Sequence, residues 1–183
     1  MTTPETWQKE SDEIWDLVRY QRIRILVWGP GDPGPDASEE SRRAYQKRLQ
    51  IRDHLREQFP RAEVHFSEDE QLVELSKDVE GQLRKEAFQA RSAHRVIMLD
   101  ISRGADLELD HFIPKYPWFA PKAFVLLPEQ FVSTTGLVKE ILDHLTPRQI
   151  EGYSEEEFRQ CTVATVKALR PAKEAALDVF LRQ

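Results

Sequence analysis

The chain is poor in cysteine, in glycine and in long apolar runs. Its 183 residues include one cysteine, Cys161, and seven glycines. A single thiol can form neither an internal disulfide nor a multi-cysteine zinc site, which fits a reducing compartment such as the cytoplasm. No apolar run approaches the roughly 20 residues that span a bilayer. The first residues, MTTPETWQKESDE, are acidic where a signal peptide needs a basic stretch before an apolar one. We therefore predict a cytoplasmic protein with no membrane segment.

Basic residues are in the minority. The 26 Lys and Arg residues against 32 Asp and Glu residues give a net charge of −6, which disfavours nucleic-acid binding because phosphate backbones require a dense basic surface. The length suits one compact domain at roughly 100 to 200 residues per domain. We predict a single α/β domain over residues 1–183, with an N-terminal helix over 1–20, alternating strands and helices over 23–153, and C-terminal helices over 154–183.

Short β-branched and aromatic runs alternate with longer helical patterns along the chain. The runs predict strands at residues 23–28, 62–66, 95–101 and 123–127, and an edge strand at 149–153. The intervening patterns predict helices at residues 1–20, 38–59, 72–90, 136–145, 155–169 and 173–181, with another that follows Gly104. Strands that alternate with helices pair in parallel through right-handed crossovers. The prediction is a flavodoxin-like three-layer sandwich of about five mostly parallel strands.

Ligands of such sheets bind outside the carboxyl ends of the strands, where the strand order reverses. For the order 2-1-3-4-5 this crevice lies between the first and third strands. The segment after the first strand, GPGDPGPDAS, contains the pattern G-x-G-x-x-G beginning at Gly29. Three prolines in it remove amide donors and delay the next helix to Ser38, so it is not the dinucleotide fingerprint. We interpret it as a flexible rim over the crevice.

The crossover after the third strand contains more side chains that can take part in binding or catalysis. Asp100 ends the strand, Ser102, Arg103 and Gly104 form a tight turn, and Glu108 falls in the first turn of the next helix. Helix amide dipoles hold such a carboxylate ionised, and an oriented anion can stabilise an oxocarbenium-like transition state or attack the sugar carbon. Alternatively, Glu108 serves only helix-end electrostatics, Asp100 only caps the turn and Arg103 is an ordinary exposed turn residue.

Three stretches of the sequence resemble the nucleoside 2-deoxyribosyltransferases. They are ILVWGP with Gly29 and Pro30, AEVHFSED, and VIMLDISRGADLELDHF, in which Gly104 and Glu108 keep the family spacing of glycine and catalytic glutamate. The resemblance covers residues 23–131 and extends to nucleoside-phosphate N-hydrolases and TIR-type NAD hydrolases. Ser102 stands where the family has aspartate, and Asp110 where it has glycine.

The resemblance implies an N-glycosidic bond hydrolase or transferase that acts on a nucleoside, a nucleotide or NAD, without a metal or redox cofactor. It implies Glu108 as nucleophile or cation stabiliser, with Gly29, Pro30, Ser102 and Gly104 at its substrate-binding positions. The strand-end position of Asp100 predicts that it orients the ribose, and the charge of Arg103 makes it a candidate partner for a substrate phosphate. The departures at Ser102 and Asp110 favour an alternative, a non-catalytic nucleotide-binding sensor or scaffold. The resemblance suggests a role in bacterial defence or stress signalling for either. The five histidines show no metal-ligand spacing, so no metal site is predicted.

The N-terminal helix presents a face of large apolar side chains. Trp7, Ile14, Trp15 and Val18 recur at the spacing of one helix face. This face covers either the helices of its own subunit or a second subunit. Active sites of the resembling family are often completed by a neighbouring subunit, which implies a homodimer.

Overall fold

A five-stranded sheet forms the centre of the molecule. The structure is a computed structural model that describes residues 4–99, 112, 114–132, 144–160 and 167–183. The strands are β1 (Arg24–Trp28), β2 (Glu63–His65), β3 (Arg95–Leu99), β4 (Ala123–Pro128) and β5 (Ile150–Tyr153). The helices with assigned bounds are α1 (Pro4–Arg19), α2 (Glu39–Gln58), α3 (Glu70–Leu75), α4 (Gln82–Ser92), α5 (Glu129–Val132), α6 (Glu155–Gln160) and α7 (Leu169–Phe180), with 3₁₀ turns at Ala120–Lys122 and Pro147–Gln149.

The strand order is β2-β1-β3-β4-β5, and each neighbouring pair is parallel. This order and direction confirm the flavodoxin-like prediction. The register pairs Trp28 at the end of β1 with Met98 of β3. The carboxyl ends of β1 and β3 therefore lie side by side, where the strand order reverses.

Alternating side chains of each strand build two separate cores, one on each face of the sheet. Ile25 and Val27 of β1 belong to one core, to which α1, α2 and α7 contribute. Leu26 and Trp28 belong to the other core, to which α4 and Phe112 contribute. A sheet with apolar residues on both faces requires helices on both sides, which produces the three layers.

The predicted single helix over residues 72–90 is wrong, because the structure divides it into α3 and α4. Ser76 ends α3, where its Oγ donates a hydrogen bond to the Leu72 carbonyl at 2.7 Å. Gly81 then adopts φ +83°, a left-handed conformation that helix residues do not adopt and that glycine tolerates without a steric penalty. The break turns Ala87 and Ala90 of α4 towards the core and leaves Phe88 exposed.

The C-terminal helices also differ from their prediction. Pro171 lies in the first turn of α7 rather than before it, where its missing amide hydrogen costs nothing because first-turn amides have no partner within the helix. The predicted helix over 136–145 falls mainly on residues outside those described. None of the helices that the structure describes is both long and apolar enough to cross a membrane.

Candidate functional site

A cavity of about 360 Å³ opens at the carboxyl ends of β1 and β2. It lies within the range of about 300–1,000 Å³ that small-molecule sites occupy. Its lining residues are Trp28, Gly29, Gly31, Asp32, Arg48, Ser67, Glu68, Gln82 and Glu86. Arg48 comes from α2 on one face of the sheet, whereas Gln82 and Glu86 come from α4 on the other. The cavity therefore lies across the edge of the sheet where parallel α/β folds bind their ligands.

Arg48 connects the two loops that form this edge. Its side chain is buried, and its Nε donates to the Val27 carbonyl at 3.0 Å while Nη1 donates to the Pro30 carbonyl at 3.2 Å. Its two terminal nitrogens form a bidentate pair with Glu68 at 2.5 and 2.8 Å. The guanidinium also lies 4.0 Å from the centre of the Phe66 ring. Arg48 thus holds the ends of β1 and β2 together, and Glu68 balances its charge.

Gly29 is needed at the end of β1 because the protein itself fills the space of a side chain. Its φ of +150° is unusual for other residues, and a Cβ there would lie 3.1 Å from the Leu99 Cβ and 3.2 Å from the Leu99 carbonyl oxygen. Leu99 is the last residue of β3. The absence of a side chain at Gly29 therefore lets the ends of β1 and β3 touch, directly before the chain continues to Asp100.

The loop rich in glycine and proline forms one wall of the cavity. Gly31 and Asp32 line it, and the Gly34 amide donates to Asp32 Oδ1 at 2.9 Å. As the sequence predicts, the next helix begins at Ser38, whose Oγ accepts from the Ser41 amide at 3.2 Å. The start of α2 is therefore separated from β1 by a loop, unlike a dinucleotide fingerprint.

This position leads to a prediction about proteolysis. We expect cleavage within residues 29–38 to slow when NAD or AMP is added at saturating concentration, because a ligand that contacts Gly31 and Asp32 restrains the loop. Limited proteolysis followed by mass spectrometry measures the rate at each bond. Cleavage in the α3–α4 connection, residues 76–81, serves as an internal control. An unchanged rate in the loop would make it a simple connection.

Glu86 brings an unusual carboxyl group into the cavity. Its side chain is 7% exposed, and Oε1 accepts a hydrogen bond from Gln82 Nε2 at 2.6 Å, whereas Oε2 is buried without a partner among the described residues. Burial first, and then the nearby Glu68 carboxylate, raise the pKa of Glu86 above its ordinary value of 4.5; the Gln82 hydrogen bond and the Arg48 charge oppose that rise. Burial at this position therefore raises the pKa of Glu86 and stabilises its protonated form relative to an exposed glutamate.

Trp28 is a second lining residue with an unsatisfied buried group. Its ring is buried against Phe112, with 4.9 Å between centroids, and against Phe119, at 5.4 Å. Its indole Nε1 is buried and has no hydrogen-bond partner in the part of the chain that the structure describes. An indole nitrogen is a donor only, so it can bind an acceptor of a ligand.

The structure describes only two of the site residues that the sequence predicts, Gly29 and Pro30. Gly29 lines the cavity, and Pro30 contributes its carbonyl to Arg48. The other predicted site residues lie outside the described residues: Asp100, Ser102, Arg103, Gly104 and Glu108. Most of the lining residues come from the ends of β1 and β2 and from the loops after them. The sequence had predicted a crevice between β1 and β3. Arg48, Gln82 and Glu86 were missed, and their only sequence signal is the four-residue spacing of Gln82 and Glu86 on one helix face.

The described residues contain no group of three histidine, cysteine, aspartate or glutamate side chains that could hold a metal ion. His65 instead lies with Nδ1 3.1 Å from Asp69 Oδ2. Asp69 Oδ2 also accepts from the Phe66 amide at 3.1 Å, so this pair stabilises the turn after β2.

The fold and the cavity define a parallel α/β domain with a cavity of small-molecule size at the carboxyl ends of β1 and β2. Comparison with known proteins adds no closer assignment, since neither a protein-family model nor a curated protein matches this chain.

Proposed function

We propose that this protein is an N-glycosidic bond hydrolase or transferase that acts on a nucleoside, a nucleotide or NAD. The observation that carries the proposal is the contact of Gly29 with Leu99 at the edge of the cavity. This contact brings the end of β3 to the cavity, and the sequence that follows contains Asp100 and Glu108. Those residues carry the resemblance to enzymes that cleave N-glycosidic bonds.

The proposed reaction needs one carboxylate of the protein, and either water or a second base as the acceptor of the sugar. The bond between the sugar C1′ and the base nitrogen breaks, and its electron pair leaves with the base. The base of a nucleoside or nucleotide then takes up a proton, whereas the nicotinamide of NAD, whose ring nitrogen is positively charged, leaves as a neutral molecule. Glu108 supplies the negative charge that stabilises the developing sugar cation or forms a covalent bond to C1′. Water in hydrolysis, or the nitrogen of a second base in transfer, then bonds to C1′ and releases a proton. No metal or redox cofactor enters these steps.

A non-catalytic nucleotide sensor of the same fold is the second candidate. Two observations favour it. Arg48 of the cavity is neutralised by Glu68 and engaged by two carbonyls, so it stabilises the fold rather than reacting groups. Ser102 and Asp110 depart from the pattern of the resembling enzymes. A sensor needs the cavity but not the charge of Glu108.

A base-release assay separates the two functions. The full chain is incubated with NAD, AMP, adenosine and 2′-deoxyadenosine, and free base and sugar products are quantified by chromatography. Release of a base supports the glycosidase. Binding of one of these compounds by calorimetry, without release, identifies the sensor. Neither release nor binding would contradict both.

We also propose that a second copy of this chain covers the exposed face of α1. Val18 is buried in the core, but five other large side chains of this segment remain exposed: Trp7, Ile14, Trp15, Leu17 and Tyr20. The two tryptophans are 65% and 42% exposed. Exposed apolar surface of this kind marks an interface, and identical subunits most often pair through one isologous surface.

We therefore predict a dimer by light scattering at micromolar concentration. The double substitution Trp7→Glu with Trp15→Glu is expected to yield a monomer with an unchanged circular dichroism spectrum, because two charges cannot be buried in that interface. Leu181→Glu, which alters an exposed apolar residue after α7, is the control and should remain dimeric. A parent chain that is already monomeric would disprove the interface.

A further inference from the structure

Two side chains that each contain a buried polar atom without a partner line the same cavity. Among the residues that the structure describes, three buried side-chain nitrogen or oxygen atoms have no hydrogen-bond partner: Trp28 Nε1, Glu86 Oε2 and Gln89 Oε1. Trp28 and Glu86 both line the crevice. A buried polar atom without a partner costs about 1–3 kcal/mol. Because both side chains line a cavity large enough for a small molecule, a ligand in that cavity is the candidate partner for both atoms.

We propose that Trp28 and Glu86 form a subsite that donates two hydrogen bonds to the acceptor edge of an uncharged heterocycle of the nucleobase or nicotinamide class. The ligand class rests on the function proposed above. The two atoms themselves, and their burial, do not depend on it.

The chemistry of the two side chains determines which edge of the ligand they bind. The indole of Trp28 can only donate. Glu86 already accepts from Gln82 through Oε1, so the neutral acid carries its proton on Oε2 and donates from there. Two donors require two acceptors on the ligand. Cytosine has O2 and N3, adenine has ring nitrogens, and free nicotinamide has its amide oxygen and its ring nitrogen, which can accept once its bond to ribose has broken.

The charges around the subsite disfavour a negatively charged ligand. Arg48 of α2 is paired with Glu68, which follows β2, and Asp32 of the loop after β1 is the other acidic group in the lining. Glu68 disfavours ionisation of Glu86, whereas Arg48 and Gln82 favour it, and burial outweighs both. A negatively charged group would be repelled by Glu68 and Asp32, and two neutral donors are satisfied by the acceptors of an uncharged heterocycle.

This subsite requires a specific dependence of affinity on pH. The pKa of Glu86 is raised in the folded protein, and only the protonated acid donates. Affinity is therefore full below the raised pKa and falls as the pH rises through it. A site that used the ionised carboxylate as an acceptor would show the opposite dependence.

The test measures binding of free adenine, cytosine and nicotinamide to the full chain by calorimetry between about pH 5 and pH 8. We expect at least one of them to bind, with affinity that declines as the pH rises. Trp28→Phe and Glu86→Met should each weaken binding about tenfold, the effect of one lost hydrogen bond. Glu86→Gln should retain affinity within about threefold and lose the pH dependence, because its amide donates at every pH.

Matched variants and a spectroscopic signal complete the test. Trp118→Phe, at a half-buried tryptophan outside the lining, and Glu74→Gln, on the exposed side of α3, should bind as the parent does. The indole N–H resonance that Trp28→Phe removes from the NMR spectrum should move downfield when the base binds. This signal remains informative if Trp28→Phe or Glu86→Met weakens the fold.

Failure of this inference is distinguishable from failure of the proposed function. If no free base binds, or if Glu86→Met and Trp28→Phe leave affinity unchanged, the subsite is wrong even where the parent releases base from a nucleotide. If bases bind through Trp28 and Glu86 but nothing is cleaved, the subsite holds and the glycosidase is wrong. Affinity that rises with pH, and is lost in Glu86→Gln, would overturn the donor role of Glu86.

Discussion

Glu108→Gln is expected to lower base release by about a hundred- to a thousandfold without changing the fold. The amide keeps the shape of the side chain but has no negative charge to stabilise a sugar cation and no nucleophilic oxygen to bond to C1′. Binding of the free base should stay within about threefold of the parent. The measurement is kcat for the best substrate of the base-release assay, together with calorimetric binding of the released base.

Asp106→Asn is the matched control for Glu108→Gln. It removes one negative charge from the same segment, two residues away, where the helical spacing predicts a different side of the helix. Its kcat should remain within about threefold of the parent. Equal turnover by Glu108→Gln and the parent would remove Glu108 from the mechanism.

Arg48→Met is expected to lower the free energy of unfolding by about 2–4 kcal/mol. Methionine fills much of the volume but leaves the Val27 and Pro30 carbonyls without the guanidinium that now bonds them. It also removes the bidentate partner of Glu68. Since the Glu68 side chain is 52% exposed, water can solvate it, so most of the loss comes from the two carbonyls and from the separation of the β1 and β2 loops. Urea denaturation measures the change.

Arg52→Met provides a close comparison. Arg52 is one turn further along α2 and also lies over the Phe66 ring, at 4.4 Å, but its ion pair is with the neighbouring, exposed Asp53. An ion pair at the surface contributes about 0–1 kcal/mol, so this variant should lose no more than about 1 kcal/mol. Equal losses for both variants would show that stacking on Phe66, rather than bonding of the two loops, explains the role of Arg48.

The strands and their order could be predicted because their signals are local. Runs such as IRILVW are apolar at every position, since parallel strands are covered on both faces. Each is separated from the next by a helix-length segment, which fixes parallel pairing. The start of α2 could be predicted equally well, because Ser38 followed by Glu39 and Glu40 is a strong signal for a helix N-terminus.

The walls of the crevice could not be predicted, because polar residues occupy buried positions there. The buried face of α2 includes Ala44, Arg48, Ile51 and Leu55, which are spaced as one helix face. By hydropathy alone Arg48 counts as a solvent-exposed residue, and the apolar residues Tyr45 and Leu49 indicate a different face of the helix. Only the three-dimensional positions of the Val27 carbonyl and Glu68 show why a guanidinium is buried at this point.

Glu86 was missed for a related reason. Over 72–90, Leu83 and Phe88 recur with Leu72, Leu75 and Val79 at near-helical spacing, but both are exposed in the structure. The break at Gly81 rotates α4 so that Glu86 and Ala87 face inward. A single glycine thus decides which side chains reach the crevice, and its φ angle is not visible in the sequence pattern.

The central claim is that the crevice at the carboxyl ends of β1 and β2 binds the base of a nucleoside, a nucleotide or NAD. A crystal structure of the full chain soaked with AMP, and separately with NAD, tests this most directly. The account predicts density in the cavity, with the base on Trp28 Nε1 and Glu86 Oε2 and the anomeric carbon beside the Glu108 carboxylate. Density for either ligand elsewhere on the surface, with an empty crevice at saturating concentration, would contradict it.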